Sequence, residues 1–205
     1  DQFNFGLTYR SSVKVNIDGT ATGSTVLAPL GNTTLSTSVT FPDMVNVGVA
    51  FSPDAEKRWL ISAEVDWTNW DTFDQLDLVY GPSLLTAGGL GGATTAALPQ
   101  NWSATFAFRA GLQWAYNNNM RARIGYSFDP TPIDDVDFTP RIPGNDRHLF
   151  AAGWGFDFNE QTTLDLSYMY VLVNDRTQTA SAAPFYNGTY NGSSHLIAAS
   201  LTARF

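Results

Sequence analysis

The chain has 205 residues, with 15% charged, 14% aromatic, a formal net charge of −8 and no cysteine. Its length suits one domain, and its acidic balance leaves no basic stripe for nucleic-acid phosphates. The missing cysteines exclude disulfides, thiolate metal sites and cysteine nucleophiles, and no run of 18 apolar residues offers a membrane-spanning helix.

What the chain offers instead is period-2 alternation, strand after strand. Phe3, Phe5, Leu7 and Tyr9 share one face of a first strand, which Val13, Val15 and Ile17 continue. Phe41, Val45, Val47, Val49 and Phe51 line a second. Trp59, Ile61, Ala63, Val65 and Trp67 line a third, opposite Ser62, Glu64, Asp66 and Thr68. The fourth runs from Trp102 to Tyr116 and the fifth from Met120 to Phe128, the latter opposing Arg121, Arg123, Gly125 and Ser127. The sixth carries Phe150, Ala152, Trp154, Phe156 and Phe158, and the seventh Leu164, Leu166, Tyr168, Tyr170 and Leu172. The eighth, from His195 to Phe205, sets Ile197, Ala199, Leu201, Ala203 and Phe205 against Ser200, Thr202 and Arg204.

Strands of roughly 9 to 13 residues, apolar on one face and Ser-, Gly- and Thr-rich on the other, suit a tilted membrane crossing with lipid outside and a wet lumen within. A soluble β-sandwich also alternates, but its strands run about 5 to 6 residues. Connection lengths sharpen the expectation. Ser52–Arg58, Asn117–Asn119 and Asn159–Thr162 read as tight turns, and long loops fall at 18–38, 71–101, 129–147 and 174–194. Long extracellular loops alternating with short periplasmic turns are the habit of outer-membrane barrels, and an even strand count puts both chain ends in the periplasm. Residues 1–205 are thus expected to be one antiparallel transmembrane β-barrel region in the bacterial outer membrane. Its expected partners are membrane lipid, lipopolysaccharide and, through the strand ending in Phe205, the barrel-assembly machinery. Asp1-Gln2-Phe3-Asn4 lacks the basic and apolar parts of a signal peptide, which predicts a mature chain or a fragment.

Several segments resemble the long-chain fatty-acid transporter (FadL) family, which includes aromatic-hydrocarbon transporters. They are Leu7-Thr-Tyr-Arg-Ser-Ser-Val-Lys14, Phe41-Pro-Asp-Met44, Glu64-Val-Asp-Trp-Thr-Asn-Trp-Asp-Thr-Phe73, Arg123-Ile-Gly-Tyr-Ser-Phe-Asp-Pro-Thr-Pro132 and Ile142-Pro-Gly-Asn-Asp-Arg147. The resemblance implies a fourteen-stranded barrel about twice this length, with an N-terminal plug holding the high-affinity ligand pocket. Only the C-terminal eight strands have counterparts here. The implied function is passive uptake of hydrophobic molecules, most of all long-chain fatty acids, without catalysis, cofactor or metal. The alternative is a small self-contained structural or adhesive eight-stranded barrel without a transport pathway. A plug and six further strands encoded upstream would accompany the first, and a signal peptide directly before Asp1 the second.

Candidate chemistry is sparse. Arg109, Arg123, Arg121, Glu64 and Asp66, with Asp165, face the lumen by parity. They are candidates to guide an amphiphile, an Arg fork meeting its carboxylate, or simply to pair with one another. Phe73, Leu76, Leu78, Tyr80 and Leu84 form an apolar stretch in a long loop, either a docking surface for hydrophobic substrates or a strand extension above the membrane. His148 and His195 share the parity of lipid-facing residues and lack the partners of a catalytic triad. Asp134, Asp135 and Asp137 crowd one loop without EF-hand spacing. Gly88–Gly92 lacks the Lys of a phosphate loop.

Overall fold

The computed structural model describes residues 2–22, 32–81, 95–140, 144–179, 181 and 184–204. Among them are twelve strands. They are β1 (Phe3–Arg10), β2 (Val13–Thr22), β3 (Asn32–Phe41), β4 (Met44–Phe51), β5 (Trp59–Thr68), β6 (Gln75–Tyr80), β7 (Thr95–Pro99), β8 (Thr105–Asn117), β9 (Met120–Asp129), β10 (Arg147–Asp157), β11 (Thr162–Gln178) and β12 (Gly188–Ala203). Every pairing is antiparallel. Eight strands form one sheet in the order β1-β4-β5-β8-β9-β10-β11-β12, and four form a second in the order β2-β3-β6-β7.

The first sheet contains the eight alternating segments expected from the sequence. Register puts like faces together across it: Val47 lies opposite Leu7 and Val65, and Ala122 and Leu166 flank Trp154. The resulting outer face is apolar and uncovered, with Phe5 83%, Ile124 61% and Ile197 85% exposed. Water penalises such a surface by roughly 25 cal/mol per Å², and bilayer hydrocarbon does not. The inner face carries Asn46, Glu64, Asp66, Arg109, Gln113, Arg123 and Asp165, several joined by hydrogen bonds.

Three features depart from the expected layout. The long loops at 18–38 and 71–101 are not wholly loops: β2 and β3 extend into the first, and β6 and β7 lie in the second. Likewise β11 and β12 run well into 174–194. The 17 residues of β11 reach about 55 Å at 3.3 Å per residue, beyond what a tilted crossing needs. Next, the first strand does not run on smoothly from Tyr9 to Val13, because Ser11 and Ser12 separate β1 from β2, and Pro42 and Asp43 separate β3 from β4. Proline has no N–H for the ladder, so pairing breaks there. Finally, the first sheet is open. No ladder joins β1 to β12 among the described residues, whereas a self-contained eight-stranded barrel needs one. Both edge strands are exposed nearly throughout.

The turn at 52–58 is clamped by Asp54, whose carboxylate accepts from the Arg58 and Trp59 amides at 3.0 and 3.1 Å and from Arg58 Nε at 3.3 Å. Partial burial pushes this carboxyl up. The Trp59 and Arg58 amides and the Arg58 guanidinium outweigh that and hold it below the usual carboxylate range. A lowered value means the clamp is in force above the carboxyl's ordinary range and is released as pH falls through the lowered one. An NMR titration should show Asp54 protonating later on acidification than an unpartnered aspartate, and a midpoint at or above the ordinary value would contradict the clamp.

The two faces of β9 give a paired test. Ile124→Arg puts a charge on the outer face and should cost about 2–4 kcal/mol in a bilayer, read as loss of the heat-modifiable assembled form. Gly125→Ala, one residue on and facing inward, meets only ordinary contacts at 3.6 and 3.8 Å and should assemble as the unaltered protein does.

Candidate functional site

The break between the two sheets is held by three aspartates. Asp43 accepts from the backbone amide and side-chain amide of Asn69 at 3.0 and 2.9 Å. Asp71 takes the Ala104 amide at 2.8 Å, and the carbonyl of Asp74 takes those of Gln100 and Asn101 at 2.8 and 2.9 Å. Asn101 sits at φ 46, a left-handed conformation that Asn tolerates better than most residues. A 3-10 turn at Trp70–Thr72 closes on Phe73, whose amide donates to the Trp70 carbonyl at 2.8 Å. Trp102 then meets Trp70 at 5.0 Å and Phe73 at 4.8 Å between ring centroids, both edge-to-face.

Below this joint lies a cavity of about 780 Å³, within the range of small-molecule sites. Its apolar wall is built from Val13, Val15, Phe41, Trp70, Trp102 and Ile133. In β1 and β4 the lining residues are even-numbered (Arg10, Met44), and in β2 and β3 they are odd (Val13, Val15, Phe41). The two-residue breaks at Ser11–Ser12 and Pro42–Asp43 thus swap parity. An apolar stripe that faces outward in β1 and β4 lines the cavity in β2 and β3. The expectation that Val13, Val15 and Phe41 share the outward face of Tyr9 and Val45 is corrected on this ground.

Five charged residues line the cavity: Arg10, Asp66, Arg109, Asp129 and Arg147. Arg109 is shared by Glu64 at 2.7 Å and Asp66, and Asp66 also accepts from Asn46, which in turn accepts from Thr8 at 3.1 Å. Asp66 is only 2% exposed, so its charge is tolerable only because it is paired. Arg147 is matched to Asp129, its register partner on β9. Arg10 has no ion pair among the described residues, and the sequence reading passed it over.

The remaining inner-face candidates form a separate cluster at the short-turn end. Arg121 is bidentate to Asp157 at 2.6 and 3.1 Å, and Arg123 binds Asp165 at 2.7 Å and Gln113 at 2.7 Å. Gly155 makes room, since a Cβ there would lie 2.6 Å from Arg121 Nε and 2.8 Å from Asp165 Oδ1. With side chains 39% and 35% exposed, the Arg123–Asp165 pair adds at most about 1 kcal/mol. Its role is to keep this face polar and ordered. Arg109 faces Ser127 while Arg123 faces Gln113, four register positions or about 13 Å apart. The structure therefore does not bring these two arginines together.

Of the apolar loop candidates, Phe73 is not a surface residue: it is 9% exposed and backs Trp102. Leu76, Leu78 and Tyr80 lie half-buried on one face of β6, a strand extension, with Gln75, Asp77 and Val79 on the other. Leu84, and with it the glycine run at Gly88–Gly92, lies outside the described residues. The histidines are propped on the outer face, His148 and His195 each with Nδ1 2.7 Å from a tyrosine hydroxyl, of Tyr126 and Tyr168.

The acidic loop after β9 roofs the cavity and is engaged by its neighbours. Asp135 binds Arg176, and Asp137 accepts from Asn101 Nδ2 at 2.6 Å. Arg176 is 8% exposed. It also donates to the carbonyls of Ile133 and Gly144 at 3.1 and 2.9 Å and stacks 4.7 Å over Phe138. No group of three or more His, Asp or Glu positioned for a metal ion occurs among the described residues.

A family model described as "Outer membrane protein transport protein (OMPP1/FadL/TodX)" matches residues 1–205. The long-chain fatty acid transport protein of Escherichia coli O6:H1 is 27% identical over 199 residues, covering 88% of this chain and 42% of that protein. A Pseudomonas aeruginosa FadL homologue superimposes with a TM-score of 0.79 at 18% identity, over 98% of this chain and 49% of its own. The Pseudomonas putida toluene transporter TodX gives 0.67 at 18% identity, over 100% and 46%. The chain spans less than half the length of each.

Removing Arg176 strands two carbonyls that its guanidinium satisfies and leaves Asp135 without its cation. Arg176→Met should cost about 2–3 kcal/mol of local stability and open the roof to proteolysis between residues 130 and 146, with the first sheet still assembled. A cleavage pattern like that of the unaltered protein would show that the roof is held by other contacts.

Proposed function

The chain belongs to the outer membrane protein transport family (OMPP1/FadL/TodX), and from there we propose that it serves passive uptake of hydrophobic small molecules, long-chain fatty acids above all, across the outer membrane. The relatives' names supply the substrate classes, fatty acid for the Escherichia coli protein and toluene for TodX. The observation that carries the reading is the cavity beneath the joint: apolar on several sides, bounded by charges of which four are paired, and placed where the long connections gather. Each methylene moved from water into such a wall gains about 0.8 kcal/mol, so an acyl chain is drawn in with no chemical step. Leu76, Leu78 and Tyr80 offer a first apolar contact above the joint. Glu64, Asp66 and Arg109 form a fixed polar floor, and Arg121 and Arg123 keep the lower passage wet.

In this reading the long connections face outside, and the short turns and both chain ends face the periplasm. Lipopolysaccharide meets the outer face at the loop end, and the C-terminal strand is the handle for the assembly machinery.

Filling the cavity is the direct test. Ala107 is 8% exposed and lines it. In cells lacking other transporters of this type, Ala107→Trp should cut uptake of labelled long-chain fatty acid by at least about tenfold, because the indole occupies the ligand's volume. Outer-membrane abundance should stay level. Unchanged uptake at equal abundance would remove the cavity from the pathway.

A further inference from the structure

We propose that the outer face carries a lipid-headgroup site, in which His148 and His195, each framed by two aromatic rings, hold the phosphates of the outer-leaflet glycolipid, lipid A. The proposal rests on the reading above that the long connections face outside, and it names what the outer face binds at that end.

The chain has two histidines, and both stand in the same constellation. His148 on β10 lies directly opposite Phe128 of β9, and Tyr126 is the next outer-face residue toward the short turn. The imidazole sits 5.1 Å from the ring of Phe128 and 6.0 Å from that of Tyr126, whose hydroxyl is 2.7 Å from Nδ1. His195 on β12 lies directly opposite Tyr170 of β11, and Tyr168 takes the place of Tyr126. The corresponding distances are 5.0, 6.0 and 2.7 Å. His148 is not at a margin of the sheet, because β9 and β11 flank β10 on its two sides. Further strands would join at the margins and a filled interior would lie on the opposite face, so lipid is what meets this ring.

An imidazole nitrogen is a far stronger base than a phenol oxygen, so each tyrosine hydroxyl donates to Nδ1. The ring's own proton then sits on Nε2, away from the tyrosine. Neither Nε2 has a hydrogen-bond partner among the described residues, and in hydrocarbon such a donor would go unmatched at a cost. Along β9, Met120 to Phe128 spans about 26 Å at 3.3 Å per residue, comparable with the apolar band of a barrel, about 25 Å tall. The imidazoles thus stand where hydrocarbon gives way to headgroups. At the outer-face positions from Met120 to Phe128, His148 to Phe156, Leu164 to Leu172 and His195 to Ala203, no Asp, Glu, Lys or Arg occurs. The two imidazoles are the only groups on that surface able to turn cationic. A phosphate offers acceptors and negative charge and no competing donor, whereas an amine headgroup would bring donor against donor.

Native mass spectrometry of the protein made from its own complete gene, in detergent, compares diphosphorylated lipid A with its dephosphorylated form. His148→Phe combined with His195→Phe keeps two rings and removes both free N–H groups. It should weaken diphosphorylated lipid A at least about tenfold, the reach of one charge-assisted hydrogen bond, and leave the dephosphorylated form within about twofold. Equal weakening of both forms would make the imidazoles mere packing, and no weakening would place the phosphates elsewhere; either overturns the proposal. Phosphatidylglycerol held by the unaltered protein as tightly as lipid A would overturn it too, since the glycolipid would not be the occupant. Should the double variant not assemble, the unaltered protein decides: diphosphorylated lipid A must bind at least about tenfold more tightly than the dephosphorylated form, and equal binding overturns the proposal. None of these outcomes touches the uptake reading, which stands or falls with Ala107→Trp.

Discussion

A β-strand gives each of its faces only every second residue, and a uniform strand keeps that assignment along its whole length. The architecture depends on where the chain breaks this rule. For eight strands the assignment holds, with hydrocarbon on one side and a polar interior on the other. At Ser11–Ser12 and at Pro42–Asp43 it is interrupted by two residues, and beyond the interruption Val13, Val15 and Phe41 border the cavity while staying partly exposed. The cavity's apolar wall is that displaced stripe. The latches from Asp43, Asp71 and Asp74 tie the segments that leave the first sheet to those that return to it.

Charge is handled in the same economical way. Most inner-face ions are spent on one another: Arg109 with Glu64 and Asp66, Arg123 with Asp165, Arg121 with Asp157. The more exposed of these, Arg123–Asp165, contributes little stability, whereas the buried Asp66 depends on its partner. The effect of the pairs is to leave the interior polar without leaving it reactive toward every passing ion.

The sequence was most legible where burial follows a simple period. β5, β9 and β10 could be read residue by residue because Ile61 to Trp67, Met120 to Phe128 and Ala152 to Phe156 alternate cleanly. β3 could not, since Thr33 and Thr37 interrupt the apolar positions of Leu35, Val39 and Phe41, and β7 is five residues ending in Pro99. The stretches Phe41–Met44 and Glu64–Phe73 carry part of the family resemblance, but nothing in them announced that they border the break between the two sheets. The cavity was illegible because it is assembled from distant segments, from Arg10 to Val173. Pairing of the inward charges was one of the two readings their parity allowed. Arg10 shares the parity of Asn4, Gly6 and Thr8, and only the structure ends its strand there.

The bare margins of β1 and β12 carry a consequence for biogenesis. In hydrocarbon each unsatisfied amide or carbonyl costs several kcal/mol, and along these two strands a whole row of them points away from the sheet. These eight strands therefore cannot enter a bilayer as a finished raft and wait there for neighbours. Among the described residues, these two margins are where added pairing would most lower the cost of a bilayer environment.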